Sequence, residues 1–331
     1  IDFTEPEWLI FYYHLIGGVS VIMNTLGIYL LLYQCNAIGS FRYWLLAYQL
    51  MCFATDLQFT LLMQPVPLYP IIAGYSMGVL SKWFSIPSVS LTCIVFPFLL
   101  LPTMSGYTLG VLSYFGVNEF FMVVLVLLAV NMLANTFLLK HQSVSSISNS
   151  FVIPKFVNGI IFLVFGIVLI AFEIVLYSAC FDEKDKWIYI ELNYPEYIRS
   201  FQQLQEFEVM DGEKIIFIAK FLIGFGFFGS TILLLVVIDI FQKLKVLKLK
   251  ISPKNYRKHS EAMRCLLVQS IAVGIAALPL LLFGISLAAE NIDGQFWAEI
   301  GIACFATHSS LNMILLMIFF PPYRNFVKKN I

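Results

Sequence analysis

Long apolar runs separated by short polar gaps dominate the chain. Seven of them, residues 8–33, 43–63, 120–139, 156–177, 215–240, 265–289 and 296–320, each hold at least 20 residues. A bilayer core about 30 Å thick needs roughly 20 apolar residues to be crossed by a helix. The pattern therefore predicts an all-α integral membrane protein, a seven-transmembrane helix bundle that forms a single domain over residues 1–331. An eighth run, 85–102, is apolar but short and carries Pro87, Pro97 and Pro102, which break helices. Residues 83–112 are read as an insertion between spans two and three, packed on the outer side or re-entrant; an eighth crossing is the alternative. An internal echo flanks this segment: GYSMGVLS at 74–81 returns as GYTLGVLS at 106–113.

Composition agrees with a membrane protein and charge then orients it. Of the 331 residues 60% are hydrophobic and only 12% charged, against about 25% in soluble domains. Twenty Lys/Arg balance twenty Asp/Glu, but the signs are segregated. Residues 241–264 carry eight bases (Lys243, Lys245, Lys248, Lys250, Lys254, Arg257, Lys258 and Arg264) against Glu261, whereas 181–214 carry nine acids against four bases. Short loops rich in Lys and Arg stay cytoplasmic, so 241–264 is a basic cytoplasmic loop and 181–214 an extracellular one. Asp2, Glu5 and Glu7 precede span one, while Arg324, Lys328 and Lys329 follow span seven. An N-terminus outside and a C-terminus in the cytoplasm satisfy all the gaps with seven crossings.

Ionisable groups at bilayer depth are costly unless they face protein or water, which makes each a functional candidate. Counting from span ends places His14, Asp56, Glu173, Lys220 and Glu299 in the outer half. They form the candidate ligand-binding set, with Glu173 and Lys220 as an ion pair. Asn24, Gln49, Asn131, His308 and Asn312 fall at or below the midplane, where neutral amides and imidazole bridge helices. Asn24, Gln49, His308 and Asn312 are read as an activation relay, with Pro279 as a hinge in span six. Plain interhelical bonding is the alternative for both layers. The 181–214 loop, with Trp187, Tyr189, Tyr194 and Tyr197, would form a lid over the ligand. A disulfide between Cys93 and Cys180 would tie that lid if Cys93 lies outside the membrane.

Several motifs carry a resemblance to a known family. They are Tyr13-His14, Asn24 with Gly27-Ile28-Tyr29, Phe41-Arg42-Tyr43, the MQPVPLYP run at 63–70, Ala73-Gly74-Tyr75, Gly78, Lys140-His141-Gln142 and Pro321-Pro322-Tyr323-Arg324. The chain resembles the nematode serpentine chemoreceptors of the str-type superfamily, most similar to class I, with class H next. The resemblance implies a G-protein-coupled receptor in the plasma membrane of a sensory neuron or its cilium. Its implied partners are an extracellular small-molecule ligand, a heterotrimeric G protein and membrane lipids, with no nucleic acid. Lys140, His141, Gln142, Lys245, Lys248, Arg257 and Arg264 are the candidate G-protein contacts.

Two other classes compete. A transporter or channel is the main alternative, but transporters are typically built from paired repeats, and the octapeptide echo is too short to be one. An enzyme is excluded as the leading reading because the four histidines form no His-x-x-x-His pair, and no Gly-x-Ser-x-Gly or metal-ligand cluster occurs. The six cysteines form no zinc or redox spacing, and no cofactor is implied.

Overall fold

The computed structural model describes residues 3–69, 71–79, 118–150, 152–204, 207–288 and 294–330. Each of the seven apolar runs is helical. The helices are α1 (Glu7–Tyr33), α2 (Phe41–Leu57), α3 (Asn118–Ile147), α4 (Lys155–Tyr177), α5 (Glu183–Asn193), α6 (Ile198–Gln203), α7 (Gly212–Leu247), α8 (Pro253–Ala288), α9 (Gly294–Ala306), α10 (His308–Phe319) and α11 (Pro321–Asn330). A π-helical turn, Gln58–Met63, prolongs α2. By length and composition of the described residues α1, α2 with its π turn, and α7 can each cross a bilayer, and α9 with α10 can do so as one span bent by 46°.

The spans pack as a bundle around α3, which touches α2, α4, α7 and α8. The pair α9–α10 closes the ring by lying between α1 and α8. The core runs through Leu45, Tyr48, Cys52, Phe137, Leu266, Met313 and Phe320, all nearly inaccessible. Large apolar side chains such as Phe156, Leu163, Phe217, Phe227 and Leu234 instead face outward from α4 and α7. Exposed leucines and phenylalanines along most of a helix mark a surface made for lipid rather than water.

One end of the bundle carries a small subdomain that the sequence reading did not anticipate. Strands β1 (Pro65–Leu68), β2 (Ala73–Ser76) and β3 (Phe207–Val209) form an antiparallel sheet in that order. Val66 pairs with Tyr75, and Tyr75 with Phe207, so their side chains share a face. That face packs on Ile190 and Phe201 from α5 and α6. The predicted 181–214 loop is thus largely helix and strand. Its aromatics are used inside it: Phe181 stacks on Tyr189 at 5.0 Å and Trp187 meets Phe207 edge-on at 5.6 Å. Phe3 packs edge-on against Phe201 at 4.9 Å, which places the acidic N-terminal stretch and the acidic gap at the same end.

The opposite end gathers the basic gaps. Here the predicted 241–264 loop is also corrected, since α7 continues to Leu247 and α8 starts at Pro253, leaving a short connection between them. Lys and Arg are good helix formers, and proline is favoured in the first helical position, so polarity ends the span without ending the helix. At the sheet end, Asp211 caps α7 by accepting from the amides of Glu213 and Lys214 at 3.0 and 3.4 Å. Residues 83–112, including Cys93, lie outside the described residues.

The hairpin β1–β2 is clamped to the end of α2. The amide of Gly78 donates to Met63 O at 2.9 Å, and a Cβ at Gly78 would sit 2.1 Å from the Leu62 carbonyl oxygen. Backbone cannot yield as a flexible side chain does, so Gly78→Ala should destabilise the protein by about 1–3 kcal/mol. Thermal unfolding of the detergent-solubilised chain would measure it, and an unchanged midpoint would show that the hairpin is not held at this point.

Candidate functional site

Buried polar groups at the centre of the bundle converge from α1, α2 and α10. Asp56, 1% exposed, accepts from the Ser20 hydroxyl and from Asn24 Nδ2 at 3.4 Å. Asn24 Oδ1 in turn accepts from Gln49 Nε2 at 2.5 Å and from the Ser309 hydroxyl at 2.8 Å. Asn312 Nδ2 donates to Gln49 Oε1 at 3.4 Å, and His308 Nδ1 faces Asp56 Oδ1 at 3.4 Å. The helical spacing of these residues explains the convergence: Ser20 and Asn24, four apart, share one face of α1, and His308 and Asn312 share one face of α10.

This arrangement changes the predicted layers. Asn24, Gln49, His308 and Asn312 do meet, but Asp56 meets them instead of the outer set. Ser20 and Ser309 join them, and sequence reasoning passed over both because serine is unremarkable in a membrane helix. Their signal was their spacing, four residues before Asn24 and one after His308. Pro279 lies within α8, whose helical run is unbroken from Pro253 to Ala288, and the 46° bend falls in the seventh span, beside Thr307.

The rest of the predicted outer set separates. His14 and Lys220 are exposed on outward surfaces of α1 and α7, away from Asp56. Glu173 lies on α4 with its side chain outside the described residues. Glu299 is buried beneath the hairpin, where it accepts from Trp8 Nε1 at 3.0 Å and Gln295 Nε2 at 3.3 Å. Gln295 also donates to Pro67 O at 3.0 Å and accepts from the Tyr69 amide at 3.1 Å. A single glutamine thus ties the hairpin to α9, and Gly294 beside it leaves room for the Tyr69 ring, which any Cβ there would strike.

At the basic end two clusters hold the helix extensions together. Lys140, only 3% exposed, donates from Nζ to His259 Nδ1 at 3.0 Å and lies over the Phe41 ring. Burial, reinforced by the charge of Lys258, pulls Lys140 down to about 7. Burial and then the charges of Lys140 and Lys258 pull His259 down to about 4. The second cluster joins α3 to α7: Asp239 pairs with His141 at 2.6 Å and Lys243 at 2.5 Å, and Lys243 donates to the Ser145 hydroxyl at 2.8 Å. Of the other predicted contact residues, Gln142 is half-buried, while Lys245, Lys248, Arg257 and Arg264 are exposed. Arg257 also pairs with Glu261 at 2.8 Å.

Asn24→Ala would leave the Gln49 amide and the Ser309 hydroxyl without their acceptor, at a cost of about 1–3 kcal/mol. Because Asn24 and Ser309 share one bond, adding Ser309→Ala should cost less than the sum of the single changes. Additive shifts in thermal unfolding would show that the two helices are not joined there. For Lys140 the unfolded amine titrates near its usual 10.5 and the folded one near 7. Between these values the unfolded chain holds a proton that the folded chain has released, so stability rises with pH over that window, and the full penalty remains below it. The unfolding midpoint should therefore climb from pH 7 to 9, and Lys140→Met should flatten the climb.

The whole chain can be placed by comparison with known proteins. The family model described as "Serpentine type 7TM GPCR chemoreceptor Sri" matches residues 1–96 and 86–327. The two matched stretches overlap inside the 83–112 segment. A search of curated proteins finds no match. With nearly every residue matched and a helical bundle of apolar spans beneath it, the chain belongs to the nematode serpentine-type seven-transmembrane GPCR chemoreceptor family.

Proposed function

We propose that this protein is a class I serpentine receptor that detects a small molecule outside the cell and signals through a heterotrimeric G protein within a sensory-neuron membrane. The observation that carries the reading is the family match along almost the entire chain. Two features of the bundle support it. The acidic N-terminal stretch, the hairpin and the 181–209 segment share one end, while the basic extensions of α3, α7 and α8 and the C-terminal helix share the other. Between the ends, the Asp56 cluster joins three spans through exchangeable hydrogen bonds, the kind of junction that can adopt two arrangements.

At the cytoplasmic end the exposed Lys245, Lys248, Arg257 and Arg264 are the residues that meet the G protein, and Gln142 lies at their margin. Lys140 and His141 act differently. Their side chains face His259 and Asp239 rather than solvent, so they hold the ends of α3, α7 and α8 together and contact a partner only if those ends part. A ligand drives such parting only through unequal affinity for the two states.

An N-terminal epitope should be labelled on intact cells and a C-terminal one only after permeabilisation. In membranes containing a heterotrimeric G protein, the receptor should accelerate guanine-nucleotide exchange, and replacing Lys245, Lys248 and Arg264 together with Ala should abolish that effect without loss of surface labelling. Epitopes on the same side, or exchange unaltered by the triple change, would overturn the orientation or the contact assignment respectively.

A further inference from the structure

A cavity of about 190 Å³ lies between the hairpin and the outer half of the seventh span. Its walls come from Pro65–Leu68, Tyr69 and Ile71–Gly74 on the hairpin, Glu208 and Met210 beside β3, and Ala298 and Ile302 on α9. The sheet register explains why space exists. Pro67, Gly74 and Glu208 stand opposite one another across the three strands and so present the same face. That face turns away from the subdomain's aromatic core, and its middle position is a glycine with no side chain to occupy the gap. The Gln295 bonds to Pro67 and Tyr69 fix the hairpin at its distance from α9.

Resting on the receptor reading, we infer that this cavity is the ligand site and that it takes a compact, apolar molecule. Size sets the first limit. A cavity of about 150 Å³ accommodates benzene, so this one, which is open on one side, seats a single small ring or a short branched chain. Chemistry sets the second. The lining side chains are apolar except Tyr69 and Glu208, so an apolar molecule meets matching walls over most of its surface. Neither His14 nor Lys220 reaches this space.

Occupancy has a direct route to the centre of the bundle. Ala298 and Ile302 lie on α9, and the bend beside Thr307 separates α9 from His308, Ser309 and Asn312 on α10. A molecule wedged between hairpin and α9 changes the angle at which those three residues meet Asp56, Asn24 and Gln49.

The test uses the full chain in membranes, a phenyl diazirine as ring-sized photoreactive probe, and toluene as competitor. Peptide mass spectrometry should find saturable labelling within residues 65–74 and 298–302, suppressed by toluene. Filling the space with Ile302→Trp, or separately with Gly74→Val from the opposite wall, should weaken labelling by about tenfold. Labelling confined to the lipid-facing sides of α4 and α7, or unchanged in both variants, would overturn the proposal. Saturable labelling in a chain that drives no nucleotide exchange keeps the cavity as a binding site and removes the receptor reading. Active exchange without saturable labelling removes the cavity alone.

Discussion

Everything in this bundle answers to one constraint: a polar group in the hydrocarbon region has no water to turn to and must be satisfied by the protein itself. Asp56 is the extreme case, a carboxyl enclosed at 1% exposure. One of its oxygens accepts from the Ser20 hydroxyl and the Asn24 amide, and the His308 imidazole faces the other at 3.4 Å. Because these come from two other spans, placing one carboxyl fixes the rotation of α1, α2 and α10 about their axes. The apolar contacts of the core do not have that specificity, since lipid tails are as apolar as leucine and offer little drive for helices to associate.

Outside the bilayer the rules change and so does the architecture. The sheet and short helices at the acidic end have water available, and there the hydrophobic effect builds a conventional small core from Val66, Tyr75, Phe201 and Phe207. At the basic end, helices continue past the apolar limit because Lys and Arg side chains extend into solvent while their backbone stays paired. Lys140 departs from that pattern. It is a basic residue turned inward against His259 and Phe41, at a place where solvation was close by. Such a group gives the junction of α3 and α8 a dependence on protonation that a leucine there would lack.

The spans were legible because hydropathy is a property of length and composition alone, and the helix ends differ from the predicted ones mainly where polar residues prolong the helix. Azimuth was not. His14 and Lys220 point away from the interior, and Asp56, counted as outer, turns toward the amides of Asn24 and Gln49. A single span carries no mark of its neighbours' positions, so which face is inward had to come from packing. The hairpin escaped notice for another reason. Pro65 and Pro67 demote a strand on sequence grounds, yet β1 lies at the sheet edge, where proline's missing donor costs nothing. Strand β3, the partner of β2, is more than 130 residues away in sequence, and no local pattern announces such a pairing.

The seventh span shows how these levels combine. Its first half, α9, holds the hairpin through Gln295 and receives Trp8 through Glu299. Its second half, α10, supplies His308, Ser309 and Asn312 to the buried cluster. Beyond it, the Tyr323 hydroxyl donates to Gly27 O at 3.1 Å, fastening α11 to α1, where Gly27 is also the point at which Met313 packs closest. Three regions in different solvents are therefore strung on one element with a bend between the first and the second. A straight helix would transmit a push at its outer end as translation of the whole rod, resisted by every contact along it. A bent one can convert the same push into rotation of one half relative to the other. That rotation would work against the packing of α10 on α1 and α8 and against the bonds of Ser309 to Asn24 and of Asn312 to Gln49, which belong to the cluster around Asp56.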